Sequence, residues 1–238
     1  MNIRNYCIGL AVVVAIGGGS YMVVKKLNNN NNIPQAPTTA STASSEDILN
    51  VYDQKIAKEL ENKYNSVKDL NRDIIGYIYI TGTHIDYPIC SGGNTHYLNY
   101  NYKNEPSKSG AIFLDENQLS FSKMSLIHGH NMLNTTMFSD IAEFADQEFF
   151  DSNIIYIYDG ETCRKFKPVC LLRVPDSYIV KYKQTTGEEV KEYLAEQSKK
   201  SVVTPYSDLT ENDGLILNTC VSDGSGDHRL LMAQEVTE

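Results

Sequence analysis

Three residues of this 238-residue chain have the types and placements from which a nucleophilic site could be built: Cys220, His130 and Arg229. GLILNTC (214–220) is an apolar run ending at Cys220, VSDGSGDH (221–228) is polar and glycine-rich, and a second apolar run, RLLMAQEV (229–236), opens at Arg229. If the two runs pair as an antiparallel hairpin, the end of one and the start of the next share a rim, which makes Cys220 and Arg229 neighbours. A cation beside a thiol favours the thiolate, the nucleophilic form of cysteine. Proton transfer needs a third group, and MSLIH (124–128) followed by Gly129-His130 sets an imidazole just past another strand. An imidazole titrating near about 6.5 is a natural partner for a thiol titrating near about 8.5.

Each residue also has a plainer reading. A cysteine ending an apolar strand is more often core, and an arginine opening a strand is usually a solvated edge charge. His128 and His130 form an H-x-H pair that could face a metal from one side of a strand, but no third ligand has suitable spacing, and no metal or cofactor is expected. The other cysteines (Cys7, Cys90, Cys163 and Cys170) fit neither a zinc ribbon nor a disulfide framework. On one extended strand Cys163 and Cys170 stand roughly 23 Å apart at about 3.3 Å per residue, far too long for a bridge. Small buried hydrophobes are their default role.

The elements that must position these groups are mostly short strands. Candidates are 74–81, 84–90, 111–114, 124–128, 153–158, 166–174, 214–220 and 229–236, punctuated by Gly82, Gly92-Gly93, Gly110, Asp159-Gly160 and Gly224–Gly226. About eight short strands suggest a closed barrel or sandwich. Before them, Ile48, Tyr52, Ile56, Leu60, Tyr64 and Val67 recur at helical spacing, with Ser44 and Ser45 as N-cap candidates, so residues 46–70 form a helix across the domain. Two more helices are expected, over 137–150 and over 186–200, the latter opened by a Thr186/Glu189 capping box.

The N-terminal region is of another kind. Tyr6 to Val24 carry no charge and are numerous enough to span a bilayer as a helix, which makes residues 1–26 an expected membrane anchor. Arg4 on one side and Lys25 and Lys26 on the other, taken alone, slightly favour a cytoplasmic body. Five asparagines followed by Pro, Thr, Ser and Ala make residues 27–45 an expected flexible spacer, leaving 46–238 as the folded domain (helix 46–70, barrel 71–238). A net charge of −9 excludes the basic face that nucleic acid demands and leaves neutral or basic peptides as candidate partners.

LNTC (217–220) followed by Arg229, with GHNM (129–132) upstream, resembles the signature of the sortases, the surface transpeptidases of Gram-positive bacteria. NRDIIGYIYITGTHIDYPI (71–89) is similar to the opening strands of that family, GAIFLD (110–115) to its G-x-I-F-x-D element, and MFSDIAEF (137–144) to the helix after its histidine. The N-terminal helix and the helical insertion at 186–200 resemble class B. Asn218 stands where Ser or Thr is common in the family, and His128 where class B often has Tyr.

The resemblance implies a mainly β fold: an eight-stranded sortase-type barrel with an N-terminal helix and a helical insertion before the cysteine-bearing strand. It implies Cys220 as nucleophile, His130 as acid/base and Arg229 as transition-state stabiliser. The substrates it implies are surface proteins with a C-terminal sorting signal of the L/N-P-x-T type, joined to an amine of a peptidoglycan stem peptide or its lipid-linked precursor. By the same analogy the peptide lies between the loop at Asn94–Leu98 and the segment Ser177–Tyr182, with Asn94, Leu98, His128, Ser177, Tyr178, Ile179, Tyr182, Asn218 and Thr219 as candidate contacts. Such substrates lie outside the cell, which implies a single-pass membrane protein with its N-terminus in the cytoplasm and its catalytic domain outside. A hydrolytic or pilin-joining variant, or an inactive membrane-anchored peptide-binding module, is the alternative.

Overall fold

The computed structural model describes residues 12–16, 19–23 and 45–237. The chain divides into two units, residues 1–49 and 50–238. In the first unit, strands β1 (Val12–Ile16) and β2 (Gly19–Val23) pair antiparallel with Val12 opposite Val23. The helix expected over 6–24 is therefore not what the described part of that segment forms. Val12–Val14 and Ile16 are β-branched and favour strands, and a run of three glycines weakens any helix through them. No helix among the described residues is long and apolar enough to cross a membrane. The rest of the expected anchor, Cys7 and the expected spacer up to residue 44 lie outside the described residues.

Helix α1 (Ser45–Val67) runs into the second unit and ends in a 3-10 turn, Lys68–Leu70. Its stripe is the one expected, in part: Ile56 and Leu60 are buried against Tyr77 and Tyr156, with Tyr64 and Val67 alongside, whereas Tyr52 is 48% exposed. Asp53 fastens the helix, accepting from the Tyr156 hydroxyl and from Lys165 Nζ, both at 2.6 Å.

Eight strands follow: β3 (Ile74–Ile80), β4 (Asp86–Cys90), β5 (Ile112–Leu114), β6 (Met124–His128), β7 (Ile155–Tyr158), β8 (Cys163–Val174), β9 (Gly214–Cys220) and β10 (His228–Glu235). They close into a barrel in the order β10-β8-β7-β3-β4-β5-β6-β9. Closure removes sheet edges, and a barrel of this size is filled by its own side chains. Ile78, Ile112, Leu114, Ile127, Leu171, Leu217 and Leu231 belong to the central cluster. Alternate residues of β6, β8, β9 and β10 (Leu126, Leu172, Ile216, Leu230) face outward beneath helix α4 (Gly187–Ser198), where they meet Val190, Tyr193 and Leu194. The Thr186/Glu189 capping box opens α4 as expected.

Two helical features differ from expectation. Residues 137–150 are not one helix: a 3-10 stretch, Ser139–Ala145, is followed by α3 (Gln147–Ser152). Asp146 adopts extended backbone (φ −81°, ψ 128°), and its carboxylate accepts from Phe149 N, so it caps a new helix instead of continuing the old one. A four-residue helix, α2 (Asn94–Tyr97), was not anticipated.

Two of the barrel pairings are parallel, β4 with β5 and β6 with β9. Strand β5 has only three residues and cannot line the whole of β6. The buried Gln118 side chain takes over part of its role, accepting from Leu126 N and donating to the Met124 carbonyl, both at 2.8 Å. The parallel β6–β9 pair sends both C-terminal ends, His128 and Cys220, to the same rim.

Truncating Ile78 to Ala, at a fully buried position in the central cluster, is expected to cost about 2–5 kcal/mol in denaturant unfolding. Leu119→Ala, at a side chain 86% exposed, should stay within about 0.5 kcal/mol.

Candidate active site

Strands β6 and β9 run in register with His128 beside Asn218, and Gly129 N continues the ladder to the Asn218 carbonyl at 3.1 Å. Only glycine fits there: a Cβ on Gly129 would lie 2.5 Å from Ile112 Cδ1 and 2.7 Å from Phe138 Cδ2. One step on, Asn131 Nδ2 donates to the Cys220 carbonyl at 2.9 Å, which ties the segment carrying His130 to the residue carrying the thiol. His130 Nε2 meets the Leu98 carbonyl at 2.9 Å. A carbonyl only accepts, so Nε2 bears the proton, and Nδ1 has no hydrogen-bond partner among the described residues. Gly110, at φ +59°, packs against this ring, since a Cβ there would sit 3.1 Å from His130 Cδ2.

The β9–β10 hairpin forms as expected, but its register separates two neighbours. Cys220 is opposite His228, and Arg229 is opposite Thr219. Directly opposed residues share a face and successive ones alternate, so the register sets Arg229 with Thr219 and sets His228 with the thiol. Thr219 is buried with its hydroxyl unpartnered, and the Arg229 side chain makes no hydrogen bond or ion pair among the described residues. The next cation, Arg173 on β8, is opposite Arg229 but occupied, with Asp227 at 2.6 Å and Asp223 at 2.7 Å. These ion pairs hold the 221–227 loop beside the cysteine.

The expectation that a neighbouring cation lowers the Cys220 thiol is not met. The residue is exposed, yet loss of water around the sulfur and then the charge of Asp176 push its pKa up. Burial acts more strongly on the others, carrying Cys90 and Cys170 up to about 12 and Cys163 to about 11. Among the described cysteines only Cys220 is exposed, and all four are free thiols.

The candidate binding residues do not all converge. Three meet at Asp115, a residue that the sequence placed in the GAIFLD element without a role. Its carboxylate accepts from His128 Nε2 (3.0 Å), Asn94 Nδ2 (3.2 Å) and the Tyr182 hydroxyl (2.7 Å), as well as from Asn117. Burial alone would raise its pKa, but the hydrogen bonds from His128, Tyr182 and Asn117 outweigh burial and hold it well below the usual carboxylate range. Asn218 joins the group through His128 Nδ1 at 3.0 Å, and the His128 ring stacks on Phe113. Leu98 contributes its carbonyl to His130, and its side chain is 38% exposed. Tyr178 points elsewhere, its hydroxyl donating to Gln197 of α4 at 2.7 Å, while Ile179 is 81% exposed and Ser177 is exposed. Thr219 lies on the opposite strand face from its neighbours. The sequence also did not single out Asn131, Asp176 or His228; the position of His228 one residue before Arg229 was the available signal.

No protein-family model matches the chain. Sortase B of Listeria monocytogenes is 30% identical over 168 residues, 68% of this chain and 68% of that protein. The chain belongs to the class B sortases. Sortase B of Staphylococcus aureus is 26% identical over 188 residues, 75% of this chain and 77% of that protein. The X-ray structure of Clostridium perfringens sortase B is 30% identical, with a TM-score of 0.66 over 73% of this chain and 99% of that one. The closed eight-stranded barrel with its helices is thus the sortase B fold, and this class B sortase is a cysteine transpeptidase.

In this sortase Asp115 should be felt in stability. Its folded pKa lies below its unfolded one, so its contribution is present above about pH 4 and is lost as pH falls towards the folded value. Asp115→Asn is expected to destabilise by roughly 1–3 kcal/mol at neutral pH, and the gap to wild type should close progressively below about pH 4 in thermal melts.

Proposed function

We propose that this sortase cleaves an L/N-P-x-T-type sorting signal after its threonine and transfers the acyl group to a peptidoglycan amine. Cys220 Sγ attacks the threonine carbonyl, the C–N bond to the following residue breaks, and a thioester links the substrate to Cys220. His130 Nδ1 takes the thiol proton as Sγ attacks and passes it to the departing amine; it then takes the proton of the incoming amine as the thioester opens and returns it to Sγ. Nδ1 is the nitrogen for this work, because Nε2–H is engaged by Leu98. Arg229, with no partner of its own, donates to the oxyanion or the substrate backbone. The observation that carries this reading is the parallel β6–β9 register, fastened by Asn131 to the Cys220 carbonyl, which delivers an imidazole and an exposed thiol to one rim. Asn94, Leu98, His128 and Tyr182 belong to the wall of the same groove.

We propose further that the folded domain from residue 46 works outside the cell, where the sorting signals and the amine are found. Protease added to intact cells should then remove the barrel; a fully protected barrel would place it on the inside.

The test is a panel of quenched peptides varied at the first, third and fifth positions of L-P-x-T-G, with and without an added amine, read by mass spectrometry. Cleavage after threonine, a thioester on Cys220 and amine-dependent product are expected. Cys220→Ala should abolish turnover. Arg229→Lys should lose on the order of 10²–10³ in rate, because a point charge does not reproduce the planar fork of guanidinium. Wild-type turnover by Arg229→Lys would remove Arg229 from this role.

A further inference from the structure

A continuous polar chain crosses three adjacent strands on the face that carries Cys220. Asp115 Oδ2 meets His128 Nε2 at 3.0 Å, and His128 Nδ1 meets Asn218 Nδ2 at 3.0 Å. Asn218 Oδ1 in turn meets His228 Nδ1 at 3.0 Å, and His228 Nε2 meets Asp176 Oδ1 at 3.2 Å. Asn218 precedes Cys220 by two positions on β9 and so shares its face, and His228 is the cross-strand partner of Cys220. None of these contacts belongs to the cysteine, histidine and arginine assigned above.

Donors and acceptors fix the protonation of this chain. Carboxylates only accept, so both Nε2 atoms carry hydrogen. The Asn218 amide offers one donor and one acceptor, so one Nδ1 accepts from it and the other donates to it. The ring that donates from both nitrogens is an imidazolium. Turning the amide over exchanges which ring that is, but leaves their number at one. The two ends are unequal. Asp115 is 8% exposed and is already supplied by Tyr182, Asn117 and Asn94, whereas the 85% exposed Asp176 has His228 as its sole hydrogen-bond partner among the described residues. As the amide stands, Nδ2 faces His128 and Oδ1 faces His228, so the ring that donates from both nitrogens is His228, the more exposed of the two.

We propose that His228 is a positioning residue for Cys220: bridged to His128 by Asn218 and paired with Asp176, it holds the extra proton of the chain and offsets the Asp176 charge on the face where the thiolate forms. Asp176 is the charge that pushes the Cys220 thiol up, so a cation placed between them works directly on the nucleophile. The other charged or titratable groups around His228 are otherwise engaged or set apart by register. Asp223 and Asp227 of the adjoining loop are held by Arg173, His130 by the Leu98 carbonyl, and Arg229 is in register with Thr219. This inference rests on Cys220 being the nucleophile, but its test does not require turnover.

The test is the rate of Cys220 alkylation by iodoacetamide in the full chain at about pH 6, below the ordinary midpoint of imidazole, read at the Cys220 peptide by mass spectrometry. His228→Gln should slow it about tenfold. Asp176→Asn in that background should restore it by about as much, while in the wild-type background it should change it by less than about threefold. The interaction between the two substitutions is the signature of compensation, which loss of packing alone does not give. An unchanged rate in His228→Gln, or an equal effect of Asp176→Asn with and without His228, overturns the proposal. If His228→Gln does not fold, His228→Asn, which also keeps an amide in place of the ring, takes its place in the same cycle. Failure of the nucleophile assignment is separable, because Cys220→Ala would then keep transpeptidase activity whatever the alkylation rate.

Discussion

The register of one parallel strand pair governs this site. Strands β6 and β9 are joined through β7, β8 and α4, yet they run side by side with Leu126 beside Ile216 and His128 beside Asn218. Because side chains alternate, a slip of β9 by one residue would turn Asn218 and Cys220 into the barrel, away from His128, and expose Leu217. The two hydrophobic clusters forbid that slip: Ile127 and Leu217 fill the barrel, while Leu126 and Ile216 lie outside it beneath α4. The helical insertion therefore does more than decorate the fold. It covers the outer face lower down the strands, at Leu126 and Ile216, and leaves Cys220 exposed beyond them.

Burial then sets the electrostatics of the open end. Asp115 sits almost out of solvent and would be costly as an isolated charge, but four side chains from β6, the short helix α2, its own turn and the segment after β8 donate to it. A carboxylate satisfied in this way acts as a fixed point to which α2 and the segment after β8 are both attached. Tyr182 and Asn94 come from segments without regular strand structure, and their shared acceptor gives these segments a defined separation. The same carboxylate holds His128 in the orientation that presents Nδ1 to Asn218.

Much of this was legible in the sequence, because the signals were local. All eight barrel strands follow from short apolar runs between glycines, β9 to the residue, and the α4 capping box from Thr186 and Glu189. What was not legible depends on geometry between distant segments. Asp146 splits a helix whose apolar pattern runs unbroken, since capping is a property of backbone angles and not of periodicity. The convergence on Asp115 joins residues up to 67 positions apart, and no spacing rule reports it. The separation of Arg229 from Cys220 turns on the β9–β10 loop: proximity in a hairpin was foreseeable, but which residue directly opposes the thiol depends on one position of register, and that position is taken by His228.

That one-position difference changes how the nucleophile must work. With Arg229 opposite Thr219, and loss of water and then Asp176 pushing the thiol up, nothing in this register has the arginine favour the thiolate. In the proposed mechanism arginine is instead left to meet the substrate: a guanidinium with no partner among the described residues, in register with the buried and unpartnered Thr219 hydroxyl, is suited to a charge that appears only during reaction. The two tasks, making the sulfur reactive and stabilising the oxyanion, then fall to different strand faces. On that mechanism imidazoles serve the first and guanidinium the second, and the β9–β10 register is what separates them.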